Sequence, residues 1–209
     1  MSATKESFLS NVSEHELTIV LDTPTHKHIT LSKPKSGDRH YHLVTWPGYL
    51  SFSGDMGCFV FQRTPDMFDF FRDPNEEWGI NPQYWAEKVQ AEGTHGDGIE
   101  KFDASLCDKI LDLYLADFLD DLSDSEDDQE KATAAKEAVS DFKQSRDGSE
   151  WDCVARLNDW DADEAGGMEL TDWYEHSTHT YTQRFLWCCH AIVWGIQQYD
   201  AVKESINGK

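Results

Sequence analysis

Two stretches place a histidine two residues ahead of a threonine: His28-Ile29-Thr30 and His176-Ser177-Thr178. Such a pair can act on a phosphoester, one imidazole as general base and the other as general acid. That chemistry wants both histidines on strands, and the second copy stands just ahead of a helix. His26 and His28 share one strand face, as do His40 and His42, while His176 and His179 are a helical turn apart. Three such pairs suit a transition metal only if the fold gathers them. They lie in different elements, and no helical His-Glu-x-x-His is present, so they read as surface or structural histidines. Asp159, Asp161 and Asp163 alternate like the start of a calcium loop. The sixth position is Glu164 instead of glycine and the twelfth is Leu170 instead of glutamate, so an acidic loop flanking a helix is expected. Gly54-Asp55-Met56-Gly57 follows a strand but opens a hairpin, which makes it a tight turn and not a phosphate cradle. No catalytic residue, metal or cofactor is expected.

The remaining chemistry is charge. The net charge is −22, and it is unevenly placed. Residues 1–72 hold 8 acids against 7 bases, residues 100–175 hold 24 against 7, and residues 176–209 return to +1. A near-neutral chain with one strongly negative segment suggests a surface that meets a positive one. Residues 103–130 carry 11 acids and one lysine. Taken as one continuous helix they span roughly 42 Å, or about one net charge per 4 Å, close to the roughly 3.4 Å per phosphate of one DNA strand. The residues expected to bind a partner are Asp108, Asp112, Asp117, Asp120, Asp121, Asp124, Glu126, Asp127 and Asp128, helped by Asp159, Asp161 and Asp163.

These groups need elements to hold them. The apolar fraction is 39% and includes 26 aromatics, eight of them Trp, enough for a core. The chain reads as folded, with one doubtful stretch at 123–148. Leu17, Ile19 and Leu21 share one face of a first strand. His28–Leu31, His40–Trp46, Tyr49–Ser53 and Cys58–Arg63 follow, separated by turn residues. Thr64-Pro65-Asp66 starts a helix with proline at its first position, Pro74 stops it, and Asn81-Pro82 starts another running through Trp85, Val89 and Ala91. Gly93–Gly98 is a link. A helix over 102–122 has a rotating apolar stripe, 129–142 is helical, and Ser149 caps a further helix. Phe185–Ile196 is apolar on nearly every side, which makes the helix over 180–202 central and buried. Trp46, Phe68, Phe70, Phe71, Trp187 and Trp194 are expected in the core. The expectation is one α+β domain over 1–209: an N-terminal antiparallel β-meander of about four or five strands, mainly within 1–72, covered by C-terminal helices. Five cysteines, two of them adjacent, read as buried thiols of a reducing cytoplasm. No run is long enough for a signal or a membrane span.

Two stretches carry a resemblance. Thr45-Trp46-Pro47-Gly48, Gly54-Asp55-Met56-Gly57 and Pro65-Asp66-Met67-Phe68, with Phe185-Leu186-Trp187-Cys188-Cys189 continuing through Trp194-Gly195-Ile196 to Tyr199-Asp200, resemble a family of uncharacterised bacteriophage and prophage proteins. The resemblance covers the near-neutral ends and implies a phage context, with no catalytic residues to transfer. Together with the acidic middle it leads to the expectation of an anti-defence inhibitor, of the anti-CRISPR or anti-restriction kind. Its partner would be a host nucleic-acid-binding protein or complex, such as a CRISPR effector or a nuclease, with neither nucleic acid nor membrane bound directly. Two alternatives stand beside it. One is a phosphoesterase or metal-dependent hydrolase using His28 and His176. The other is an interaction module whose acids serve only solubility.

Overall fold

The computed structural model describes residues 3–72, 79–94 and 98–207. Pro74 and residues 95–97 of the Gly93–Gly98 link lie outside the described residues. The chain is α+β and divides into two compact units, residues 1–101 with 181–209, and residues 102–180.

The first unit is a six-stranded antiparallel meander. Its strands are β1 (Glu16–Asp22), β2 (Lys27–Ser32), β3 (Tyr41–Trp46), β4 (Tyr49–Gly54), β5 (Gly57–Gln62) and β6 (Val89–Glu92), hydrogen-bonded in that order. Alternation decides which face is buried. Ile29, Leu31, Tyr41, Leu43, Leu50, Phe52, Phe59 and Phe61 point inward, while His28, Thr30, His42, Val44, Trp46 and Tyr49 are half-buried on the other face. Trp46 therefore stacks on Tyr49, with ring centroids 5.2 Å apart, instead of entering the core. β1 departs from simple alternation. The register slips between Ile19 and Leu21, and this bulge turns Leu21 off the core face to 48% exposure.

The inner face is covered by α1 (Lys5–Val12), α2 (Met67–Phe71) and the long α7 (Gln183–Asn207). Nearly every residue of α7 from Phe185 to Ile196 is buried. Tyr41 donates its hydroxyl to the Ala191 carbonyl at 3.1 Å. Gly195 sits so close to the sheet that a Cβ there would lie 3.0 Å from Leu43, and this close approach explains a glycine within an otherwise apolar helix. Phe8 meets Trp187 edge-on at 5.1 Å, and Phe61, Phe71 and Trp85 form a chain of edge-to-face rings. α2 begins at Met67 with Asp66 as its cap, so Pro65 precedes the helix and is not its first residue. Asn81 caps α3 (Pro82–Ala86), which ends before Val89, so the residues expected to prolong it form β6.

The second unit is helical: α4 (Ala104–Asp120), α5 (Glu126–Ser145) and α6 (Glu150–Asn158), with a 3₁₀ turn at Trp173–Glu175. The chain passes between the units through β7 (Glu100–Phe102) and β8 (His179–Tyr181), a two-stranded sheet. Cys107, Leu111, Ala135, Val139, Phe142, Cys153, Leu157, Ala165 and Met168 form the unit's own core. Burial pushes the Cys107 thiol up to about 12, and Cys153 beside it adds to the shift, so these cysteines are packing groups. All five cysteines are free thiols, and Cys58 alone is exposed. Residues 126–145 of the doubtful stretch form α5, begun by the Ser125 cap.

Candidate functional site

The division of the fold is also a division of charge. Residues 102–180 carry 23 acids against 6 bases, a net of −17, which leaves −5 for the larger unit. The acids do not form one rod. α4 stops at Asp120 and α5 starts at Glu126. Asp108 takes two bonds from the Arg146 guanidinium, at 2.9 and 2.7 Å, and Asp112 pairs with Lys143 at 2.5 Å. A step along α4 thus matches a step backward along α5, which makes the two an antiparallel hairpin. The roughly 42 Å helix expected over 103–130 is replaced by a 17-residue helix, about 25 Å long, and a return strand of helix beside it. The physical reason is the Ser123–Ser125 segment. Ser125 satisfies the Asp128 N–H as the new cap, and Asp128 accepts from both the Ser123 N–H and its hydroxyl.

The carboxylates consequently do different work. Asp108 and Asp112 hold α4 to α5. Asp128 fixes the turn, and its hydrogen bonds from Ser123, then Ser125 and Lys131, hold its carboxyl well below the usual range. Asp127 pairs with Lys131. Asp117, Asp120, Asp121, Asp124 and Glu126 are exposed, and among the described residues none of them is in an ion pair. From Asp117 to Glu130 the chain has eight acids and no base, so the hairpin tip is strongly negative. The acids at the α5 start suit its positive dipole end. Those at the α4 end face a negative one, and no basic residue stands in that last turn.

Charge continues beside the hairpin. Tyr114 on α4 donates to the Thr171 carbonyl. Burial, then Asp172, Glu175 and Asp117, raise its phenol above its ordinary value. The loop bearing Asp159, Asp161 and Asp163 is a turn and not a cation cage: the Asp161 carboxylate accepts from the N–H of Asp163 at 2.9 Å and of Glu164 at 3.1 Å. Among the described residues no group of three or more His, Cys, Asp or Glu is arranged to hold a metal ion. The loop docks on α5 through Gly166, whose φ is +63° and whose added Cβ would fall 2.5 Å from the Lys131 carbonyl oxygen. Gly166→Ala should therefore cost about 2 kcal/mol or more, from strain plus collision with backbone, measured as a lowered urea midpoint.

The histidines belong to different units. His28 lies on β2 with its Nε2 3.2 Å from Nδ1 of His42, so one of the two donates and the other accepts. Burial, then His28 and His40, lower the His42 imidazole below its ordinary value. His176 stands edge-on to Tyr114 at 6.0 Å in the helical unit. Sequence reasoning missed Trp151, which is 80% exposed. It was legible as an indole about 200° round α6 from Cys153, off the Cys153–Leu157 stripe.

No family sequence model matches the chain, and neither a curated protein nor a solved structure is detectably similar to it. Among the described residues no helix is long and apolar enough to cross a membrane.

Proposed function

We propose that this chain is a non-catalytic anti-defence inhibitor of phage origin, of the anti-restriction or anti-CRISPR kind. Its helical unit seats in a cationic groove of a host protein where nucleic acid otherwise binds. The supporting observation is the net −17 carried by residues 102–180, with Asp117, Asp120, Asp121, Asp124 and Glu126 exposed at the tip and in no ion pair among the described residues. Asp117, Asp120 and Asp121 stand at helical spacing at the end of α4, and Asp124 follows in the turn to α5. Successive carboxylates three residues apart rise roughly 4.5 Å along the axis, a separation of the same order as neighbouring phosphates. A lysine- and arginine-lined groove attracts such a surface at long range and fixes its register by close pairs. The same charge repels phosphate, so nucleic acid itself is not the ligand. The phage context rests on the resemblance of the chain's near-neutral ends.

The test is biological. The chain is expressed in bacteria that carry restriction or CRISPR immunity, and a targeted phage is plated. Plating efficiency should rise by orders of magnitude against the susceptible system. No rise against any of a panel of nucleic-acid-guided and restriction systems would remove this reading.

A further inference from the structure

The helical unit contains a concavity that the hairpin tip does not explain. A groove of about 450 Å³ runs between α5, α6 and the 159–164 loop. Phe142 is buried in its floor and Trp160 forms a half-buried wall. The Trp160 indole N–H is already used on the Met168 carbonyl at 2.9 Å, so this ring offers its face and not its donor. Trp151 lines the same groove at 80% exposure, and also lines a second concavity with Val154 and Asn158. An indole held up in water on a rigid helix forgoes most of the burial it could gain, and exposed Trp is the residue type that most often anchors interfaces.

The chemistry of the rim says what fits. Asp141, Asp152, Asp159, Asp161 and Glu164 line the groove against a single cation, Arg156. Arg156 is tied to Asp152 at 2.9 Å and to Ser145 at 2.8 Å. Asp141, Asp159 and Glu164 are left to an incoming charge, with the second oxygen of Asp161, whose Oδ1 serves its own turn. An anion is repelled, and a neutral apolar group would strip water from carboxylates without replacing it. A planar guanidinium does both things the site requires: it stacks on an indole face and gives paired N–H bonds to carboxylates.

We propose that this groove is the seat of an arginine side chain presented by a basic partner polypeptide, stacked on Trp151 and paired with the rim carboxylates. The inference rests on the reading of the helical unit as a surface for a basic protein, and it deepens that reading by naming the residue that anchors the contact.

The probe is acetyl-Gly-Arg-Gly-amide, titrated into the full-length protein while the tryptophan indole N–H signals are followed by NMR. Its citrulline and lysine counterparts serve as neutral and non-planar controls. The arginine peptide should shift the Trp151 and Trp160 signals saturably and leave Trp46 unmoved. Citrulline should bind at least about tenfold more weakly, lysine more weakly than arginine, and Trp151→Ala should weaken the arginine peptide by about tenfold. The inference is overturned if the two indoles do not move, if citrulline or lysine does as well as arginine, or if Trp151→Ala binds as the natural chain does. A protein with Asp117, Asp120, Asp121 and Asp124 all changed to lysine separates the two ideas. Retained peptide binding there supports the groove whatever happens to plating. Loss of peptide binding there assigns the cation to the hairpin tip and sinks the groove. Plating that persists with the tip reversed removes the parent reading alone.

Discussion

Reversing Asp117, Asp120, Asp121 and Asp124 to lysine should abolish inhibition and raise stability at once. Four reversals change the helical unit's charge by eight, from −17 to −9. A groove lined with cations then meets four like charges at the tip. Losing four close opposite-charge contacts and gaining repulsion should weaken binding by roughly a hundredfold or more, and plating should return to that of bacteria without the chain. Folding responds in the opposite sense. Asp117, Asp120 and Asp121 crowd the α4 C-terminus, where the dipole is negative and no base stands in the last turn, while Asp124 precedes the α5 cap. Lysine is favourable at the three α4 positions and unfavourable at the fourth, so on balance the melting temperature should rise by a few degrees. A merely solubilising patch would give the stability gain without the functional loss. Loss of both stability and function would mean that the tip residues hold the fold. Reversing Asp108 instead is no test of the surface, because that carboxylate holds Arg146 across the hairpin.

The opposition between local stability and charge also separates what was legible in the sequence from what was not. Alternation gave the strands around His42 and Leu43, because one face packs and the other does not, and that contrast is written residue by residue. The all-apolar segment of α7 announced a buried helix for the same reason. The bulge that turns Leu21 outward left no such mark, since an extra residue in one strand is set by its pairing with Ile29 and His28 and not by its own type. β6 was hidden because four residues, Val89–Glu92, need only β5 beside them to become a strand. The acidic surface was legible as composition and wrong as geometry. An uninterrupted helix over 103–130 ignores Ser123 and Ser125, whose hydroxyls serve Asp128 in a reversal of the chain. Trp151 shows the complementary limit. Its position off the apolar stripe was readable, but the groove beneath it depends on Trp160, which reaches it from the next loop.

Removing the charge of Asp66 should cost more than any other single change at an ionic group of the sheet unit. Lys27 is buried, its side chain only 6% exposed. Its ammonium donates to Asp66 at 3.0 Å and to the Pro24 carbonyl at 2.6 Å, and it lies 5.3 Å from the centre of the Phe68 ring. Asp66→Asn keeps the cap on the Phe68 N–H, which Oδ1 now accepts at 2.9 Å, but strands the ammonium in the core, at about 3 kcal/mol. Asp66→Ala loses the cap as well, roughly 1 kcal/mol more. Lys27→Met should cost far less, because the carboxylate left behind is 27% exposed, can hydrate, and still caps α2. The pH dependence has a definite sign. Burial raises the Asp66 carboxyl, yet the bonds from Lys27 and the Phe68 N–H outweigh it and the net shift is downward. A folded-state value below the unfolded one gives stability that is fully present above the unfolded carboxylate range, about 3.9. It is lost as pH falls through the folded value. In urea titrations at successive pH values from neutral downward, the gap between the natural chain and Asp66→Asn should stay level to about pH 5 and close below about pH 4. Relief of the overall negative charge acts on both proteins and cancels in the difference. The absence of any gap at neutral pH would show that the ion pair contributes nothing, and that Asp66 acts only as a cap, which asparagine preserves.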